Sequence, residues 1–172
     1  MDMNCTLRIP VLGYSMAIAT ATVLGLQGCS KSSTREPDIS SGDSSVVVAE
    51  VEAAVWAFHA ADTARNAEAV IELLWPEYEM LADGQRLEFS QIVEGSREFM
   101  ATLNLFHTVW SDLRIIPVGR NAAVSFFRFC DSIITQTGDL IRNQGPTTFL
   151  WERRNGEWRV RYGDSDHYRV DP

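Results

Sequence analysis

The last predicted strand of the chain carries side chains that can transfer protons. In the segment 155–170, NGEWRVRYGDSDHYRV, Trp158, Tyr162 and Asp164 recur at even spacing, which places them on one face of a β-strand. Burial in an apolar site raises the pKa of an Asp carboxyl toward neutrality, and a Tyr hydroxyl can donate a hydrogen bond. Tyr162 and Asp164 are therefore a candidate acid–base pair. The alternative is a buried polar pair that neighbours such as Arg128 satisfy.

Two other groups of residues are candidates for a functional site, with less support from their spacing. His59 and Asp62 stand three apart on the first predicted helix and can share a face, either assisting catalysis or forming a surface pair. Asp164, Asp166 and His167 supply oxygen and nitrogen ligands, but Asp164 and His167 point to opposite faces if the strand continues. We therefore predict neither a metal site nor a cofactor.

The composition excludes some classes of function. The chain has 15 Lys and Arg against 23 Asp and Glu, which gives a net charge of −8. An acidic chain without a basic patch argues against nucleic acid as a partner. The sequence also lacks a phosphate-binding loop and a Ser nucleophile motif.

The N-terminal segment predicts export. Residues 11–26, VLGYSMAIATATVLGL, carry no charge; this run is short for a membrane span and suits the apolar region of a signal peptide. Leu26, Gly28 and Cys29 resemble a bacterial lipobox, so residues 1–28 are predicted as a lipoprotein signal peptide and Cys29 as the lipidation site. The alternative is a buried apolar helix with an incidental Cys. Cys130 is then left without a partner for an intrachain disulfide and is predicted as a small buried hydrophobe.

A lipid anchor would be followed by a tether. Residues 29–45 are rich in Ser, charge and turn formers and are predicted to be flexible. The chain is thus expected to be exported and lipid-anchored to a membrane through Cys29. Ser30 suits the outer membrane, facing the periplasm, if the cell is Gram-negative.

The remaining residues, 46–172, are predicted to form one α+β domain. Three helical segments, the second of which is predicted to cover Ala67–Leu74 and to stop at Pro76, precede four long strands that tight turns connect. The strands are predicted at roughly Phe106–Val118, Ala122–Thr137, Leu140–Arg153 and Glu157–Arg169. This pattern is typical of helices packed on one face of an antiparallel sheet. Several strands are apolar on both faces, as the adjacent Phe126 and Phe127 illustrate. Because an uncovered apolar face is unfavourable, we expect a homodimer through the sheet face.

Several motifs between residues 46 and 166 resemble the SnoaL-like branch of the nuclear-transport-factor-2-like superfamily. GPTTFLWERRNGEWRV is similar to the closing hairpin of that branch, AVWAFHAADTARNAEAVIELL to its first two helices, YEMLADGQRLEFSQIVEG to its hairpin and third helix, and VGRNAAVSFF to a strand entry. The resemblance implies a strongly curved sheet that forms a cone with an internal pocket, and it places Asp62 near the pocket mouth. Relatives carry His where this chain has Asp164, and often at Tyr162.

Three functions stay open at this point. The first is binding of a small, largely apolar molecule without catalysis. The second is a lyase, isomerase or hydrolase that uses Asp164 and Tyr162, with Asp62 or His59 assisting. The third is an interaction module that recruits another protein through the sheet face. The predicted ligand-binding residues are Trp56, His59, Tyr78, Trp110, Arg128 and Trp158.

Overall fold

The computed structural model describes the backbone of residues 41–170 and the side chains of residues 43–170. The predicted signal peptide and Cys29 lie outside these residues. The elements are α1 Ser41–Thr63, α2 Ala67–Glu72, β1 Leu74–Ala82, β2 Gln85–Glu88, α3 Phe89–Ala101, β3 Leu103–Gly119, β4 Ala122–Thr135, β5 Leu140–Arg154, β6 Glu157–Ser165 and β7 Tyr168–Arg169. The helix α1 begins before Val46, the predicted start of the domain.

The α+β prediction is confirmed. Three helices pack on a curved, unclosed seven-stranded sheet of order β2-β1-β6-β5-β4-β3, and β7 pairs with β5. One pairing departs from the antiparallel prediction, because β1 runs parallel to β6. Parallel neighbours need a long connection, and here the chain between them comprises β2, α3 and the meander β3–β5.

The second helix is shorter than predicted. We expected it to run from Ala67 to Leu74 and to stop at Pro76, whereas it ends at Glu72 and Leu74 already belongs to β1. Pro76 lies inside that strand, where the pairing with β6 is irregular between Leu74 and Glu79. A strand tolerates proline at such an irregularity because no ladder hydrogen bond is required there.

The core lies between α1 and the inner face of the sheet. Val47, Val51, Val55 and Phe58 recur at helical spacing and are buried. They belong to one cluster with Trp151, whose indole Nε1 donates to the buried Ser125 hydroxyl at 2.9 Å. Among the described residues, α1 is also the one helix long and apolar enough to cross a membrane. Its valines are core residues of the domain, so its composition has a structural explanation.

The strand β6 contains a β-bulge. Val160 pairs with Trp151 and Tyr162 pairs with the adjacent Leu150, so Arg161 is an extra residue in β6. After this extra residue, the strand positions that face inward are the ones that would otherwise face outward. Trp158 and Val160 are buried before the bulge, and Gly163 and Ser165 are the buried positions after it.

Cys130 corrects one sequence-based expectation. Its side chain is only half-buried, and the cysteine is disulfide-bonded. The prediction of a buried cysteine without a partner is therefore wrong.

Candidate functional site

The cone encloses a cavity of about 420 Å³ between the helices and the inner face of the sheet. Aromatic rings form much of its wall. The Trp110 and Phe127 rings stack with their centroids 4.1 Å apart, and Phe149 lies edge-on to Phe127 at 5.5 Å and 5.2 Å from Phe58. The opposite wall is the inner side of α3, including Ile92, Phe99 and Met100. This lining suits a small, mainly apolar molecule.

Two carboxyl groups enter this apolar space from different elements. Asp62 comes from the last turn of α1, and Asp131 comes from the middle of β4. Burial and, to a smaller extent, the nearby charge of Asp131 together raise the pKa of Asp62 to about 7. An acid with this pKa holds and releases a proton near neutral pH.

Asp131 lies directly opposite Thr108 in the pairing of β3 with β4. Burial raises its pKa to about 6, although the Thr108 hydroxyl and the charge of His167 act in the opposite direction. The Thr108 hydroxyl lies close enough to the carboxyl group to lower its pKa. Asp131 Oδ1 and Thr108 Oγ1 are both buried and lack a hydrogen-bond partner. Buried polar atoms are seldom left without a partner, so this corner of the cavity is suited to a polar group of a ligand.

Tyr78 and two hydroxyl residues complete the polar part of the lining. Tyr78 projects from β1, and burial raises the pKa of its phenol above the ordinary value, so it stays neutral. Its hydroxyl approaches the backbone of Gly163, where a Cβ would lie 2.4 Å away. Thr147 and Ser165 pair with each other at 2.9 Å between their hydroxyl oxygens.

His167 lies at the rim of the cavity and a turn fixes its position. Its backbone N–H donates to Asp83 Oδ1 at 2.6 Å, and its ring Nδ1 lies 3.3 Å from Asp83 Oδ2. The ring contacts Phe129 with centroids 5.0 Å apart. Asp83 adopts a positive φ of 51° and belongs to the tight turn between β1 and β2. The β1–β2 hairpin and the end of the chain therefore form one edge of the opening.

Tyr162 and Asp164 do not line the cavity. The expectation that they share an inward face with Trp158 is wrong, because the extra residue Arg161 moves them to the outer face of the sheet. Tyr162 is 37% exposed there, and Gly163 and Ser165 occupy the inward positions. The structure therefore gives no geometrical basis for an acid–base pair of Tyr162 and Asp164.

The structure brings three other predicted residues to the cavity and leaves four away from it. Asp62, Tyr78 and Trp110 are part of the lining. His59 lies behind the Trp110 ring, with Nε2 3.4 Å from the carbonyl oxygen of Thr108, and also contacts the exposed Trp56. Trp158 Nε1 donates to Glu50 Oε2 at 2.8 Å, outside the cavity.

Arg128 is also placed differently from the prediction. It alternates with the lining residues Phe127 and Phe129 on β4, so it points to the outer face. In the part of the chain that the structure describes, no carboxylate lies within ion-pair distance of its guanidinium, unlike the pairs of Arg86, Arg97 and Arg153. The predicted structural ion pair with an Asp is therefore not present among these residues.

Sequence reasoning missed Asp131, Thr108 and His167 as members of one site. The available signal was the even spacing of Phe127, Phe129 and Asp131, which puts all three on one face. The segment FFRFCD is apolar on both faces, so the spacing alone could not say which face is inward. Across residues 43–170, no three His, Cys, Asp or Glu side chains converge as metal ligands.

Comparisons with known proteins identify the fold. No family model matches the chain, and no curated protein matches it. A nuclear transport factor 2-like superfamily protein from Salmonella enterica is similar in structure, with a TM-score of 0.63, 19% identity, and coverage of 70% of this chain and 90% of that one. A ketosteroid isomerase-like protein from Erwinia carotovora has a TM-score of 0.62 and 16% identity, covering 72% and 96%.

A third similar structure is the hexachlorocyclohexane dehydrochlorinase LinA-type3 from Novosphingobium barchaimii. Its TM-score is 0.62 at 14% identity, with coverage of 74% of this chain and 93% of that one. Together these similarities define the class: the described domain has the nuclear-transport-factor-2-like cone fold. At these identities the likeness concerns the fold, and function has to be argued from the cavity itself.

Proposed function

We propose that the cone binds a small, largely apolar molecule in the cavity between α3 and the inner face of the sheet. The observation that supports this proposal is the aromatic wall around a polar corner. That corner contains two buried atoms without a hydrogen-bond partner, Asp131 Oδ1 and Thr108 Oγ1. A volume of about 420 Å³ falls in the range of small-molecule sites. The apolar wall supplies affinity, and the polar corner orients the ligand.

A second candidate function is proton transfer to or from the bound molecule. It is favoured by the pair of carboxyl groups, since Asp131 has a pKa of about 6 and Asp62 one of about 7. Because both pKa values are raised toward neutrality, one carboxyl group of the pair can accept a proton while the other donates one. Similar structures include a ketosteroid isomerase-like protein and a hexachlorocyclohexane dehydrochlorinase.

We also propose that the domain belongs to the SnoaL-like branch, that the chain is exported as a lipoprotein and that it forms a dimer. The lipobox-like Cys29 supports a membrane-anchored cone outside the cytoplasm. Phe126 and Tyr162 are 39% and 37% exposed on the outer sheet face, which supports a homodimer through that face.

Occupancy of the cavity is tested with a variant that fills it. Gly95 lines the cavity from α3, and a Cβ there meets nothing within 4 Å, so Gly95→Leu projects into the cavity and favours the helix. The wild-type chain, purified gently from its own host, is expected to release a small molecule in native mass spectrometry. Gly95→Leu should lose it, whereas the matched Gly119→Leu, outside the cavity lining, should keep it. Loss from both variants, or an empty wild type that also binds no apolar probe, would refute the binding proposal.

Proton transfer is tested by hydrogen–deuterium exchange at carbon. The probe is a neutral bicyclic ketone, tetralone, whose exchange next to the carbonyl is followed by NMR in deuterated buffer. Asp131→Asn and Asp62→Asn should each lower the protein-dependent rate by at least about 100-fold, the usual size of a general acid–base contribution. Asp164→Asn, the same change on the outer face, should leave the rate unaltered. Equal loss in Asp164→Asn would contradict the assignment.

A further inference from the structure

Acidic side chains outnumber basic ones in the lining of the cavity. Asp62 from α1 and Asp131 from β4 are acidic, Tyr78 from β1 stays neutral, and His167 stands at the rim. α3, β3 and β5 contribute only neutral residues, and the described walls contain no Lys or Arg. A buried anion needs a cationic partner, so these walls disfavour a carboxylate or phosphate ligand.

The polar corner needs a hydrogen-bond donor. Thr108 is 4% exposed and lines the cavity, yet its Oγ1 has no partner, and the same holds for Asp131 Oδ1. An ionised carboxylate can only accept hydrogen bonds. A ligand group with several N–H donors would satisfy Asp131 and the Thr108 oxygen together, and a charged donor does so more strongly than a neutral one.

The aromatic walls are suited to the same ligand. The stacked Trp110 and Phe127 rings, with Phe149 and Phe58 beside them, offer an apolar surface for a hydrocarbon body. The faces of such rings also attract a cation placed above them. Carboxylates and ring faces together therefore favour a positive charge on an otherwise apolar molecule.

We infer that the cavity binds a small amine, with its ammonium between Asp62 and Asp131 beside Thr108 and its hydrocarbon body against the aromatic wall. This inference rests on the proposed binding function and narrows it to one ligand class. Neutral alcohols of the same shape fit the wall but lack the charge. Carboxylic acids of the same shape meet two acidic side chains.

Three probes of one shape test the inference: phenylbutylamine, phenylbutanol and phenylbutyrate. Binding of each to the full chain in detergent is measured by isothermal titration calorimetry at about pH 8, where both carboxyl groups are largely ionised. The amine should bind at least about tenfold tighter than the alcohol, because charge-assisted hydrogen bonds are stronger than neutral ones; tenfold corresponds to about 1.4 kcal/mol. Phenylbutyrate should not bind detectably.

Variants locate the charge recognition. Asp131→Asn and Asp62→Asn should each bring the amine to within about threefold of the alcohol, since the amide keeps the shape and removes the charge. Their alcohol affinity should stay unchanged, which also shows that the variants are folded. Asp164→Asn, the matched change on the outer face, should preserve the preference for the amine.

The pH dependence provides a further readout. Amine affinity should rise from about pH 5 to about pH 8 as Asp131 and Asp62 ionise, and the alcohol should show no such rise. His167 also lines the cavity, and its charge acts on Asp131. His167→Gln separates the two contributions, because the rise should persist in that variant and disappear in Asp62→Asn combined with Asp131→Asn.

The possible results distinguish the amine inference from the proposed binding function. Equal affinity for amine and alcohol would overturn the amine inference and leave the apolar binding function standing. Failure of all three probes at millimolar concentration would overturn both. An amine preference lost in Asp164→Asn would place the recognition on the outer face and overturn the inference.

Discussion

Thr108 lies directly opposite Asp131 in the pairing of β3 with β4, and the two side chains share one buried corner of the cavity. The Thr108 hydroxyl lowers the pKa of Asp131 against the effect of burial. Thr108→Val removes this hydroxyl at nearly constant volume, so the pKa of Asp131 should rise above about 6. A carboxyl carbon NMR titration measures it. Thr147→Val, on the neighbouring strand, is the control, and an unchanged or lower Asp131 pKa in Thr108→Val would contradict the assignment.

The stability of the domain should depend on Asp62 through pH. Its folded-state pKa is about 7 against an ordinary value of 3.8, so between these values the folded state binds more protons than the unfolded state. Stability therefore falls as pH rises through this range and is level above it. The contribution of Asp62 is at most about 4 kcal/mol.

Asp62→Asn tests this dependence by denaturant unfolding at a series of pH values. The variant should flatten the fall and be more stable than the wild type at about pH 8, where the wild type holds a buried charge. Asp164→Asn should keep the wild-type pH profile. Parallel profiles for the wild type and Asp62→Asn would show that this carboxyl is not buried in the folded protein.

Replacing either of two buried glycines by alanine should lower the stability of the domain, but by different amounts. A Cβ on Gly145 would lie 1.7 Å from the carbonyl oxygen of Asp166, whereas one on Gly163 would lie 2.4 Å from the Tyr78 hydroxyl. Backbone cannot yield as a side chain does, so Gly145→Ala should cost more than about 3 kcal/mol and Gly163→Ala about 1–3 kcal/mol.

Thermal unfolding distinguishes the two cases. Tyr78→Phe removes the clashing oxygen and should restore part of the stability lost in Gly163→Ala, but none of that lost in Gly145→Ala. Gly119→Ala, where a Cβ meets nothing within 4 Å, is the control for the loss of glycine. A Gly145→Ala protein as stable as Gly119→Ala would show that the segment before β7 does not pack on β5 in this way.

The outer sheet face should control self-association if the proposed dimer forms. Val109 is 46% exposed on this face, close to the level of Phe126, and Phe126→Lys places a charge there. Sedimentation velocity should show the dimer of the wild-type chain weakened by at least about tenfold, since a buried unpaired charge costs more than about 1.4 kcal/mol. Val46→Lys, at an equally apolar and exposed site on α1, should have no effect. A monomeric wild type would refute the dimer.

The turns explain why much of the fold was predictable. Gly138, Asn155 and Gly156 adopt the positive φ values that tight turns require, so the starts of β5 and β6 agree with the prediction. The end of α2 was less predictable, because Leu74 and Trp75 fit a helix or a strand equally well. Only the pairing with β6 decides it.

The candidate site was predictable only in part, for a physical reason. Asp62, Tyr78 and Trp110 lie on segments whose inward face the pattern or the family resemblance indicates. Asp131 and Thr108 acquire their role from a cross-strand pairing, which no local pattern encodes. Tyr162 and Asp164 were assigned to the wrong face because strict alternation was extended across a residue that breaks it.

Arg161 determines which side chains of β6 face inward after the bulge. A single inserted residue exchanges inside for outside for everything that follows it in the strand, without altering any of those side chains. Tyr162 and Asp164 lie on the outer face of the sheet, and Gly163 and Ser165 face inward, only because of the extra residue Arg161. Chains of this fold can thus remodel their interior by moving a bulge along a strand, so aligned residues of two such proteins need not occupy corresponding places.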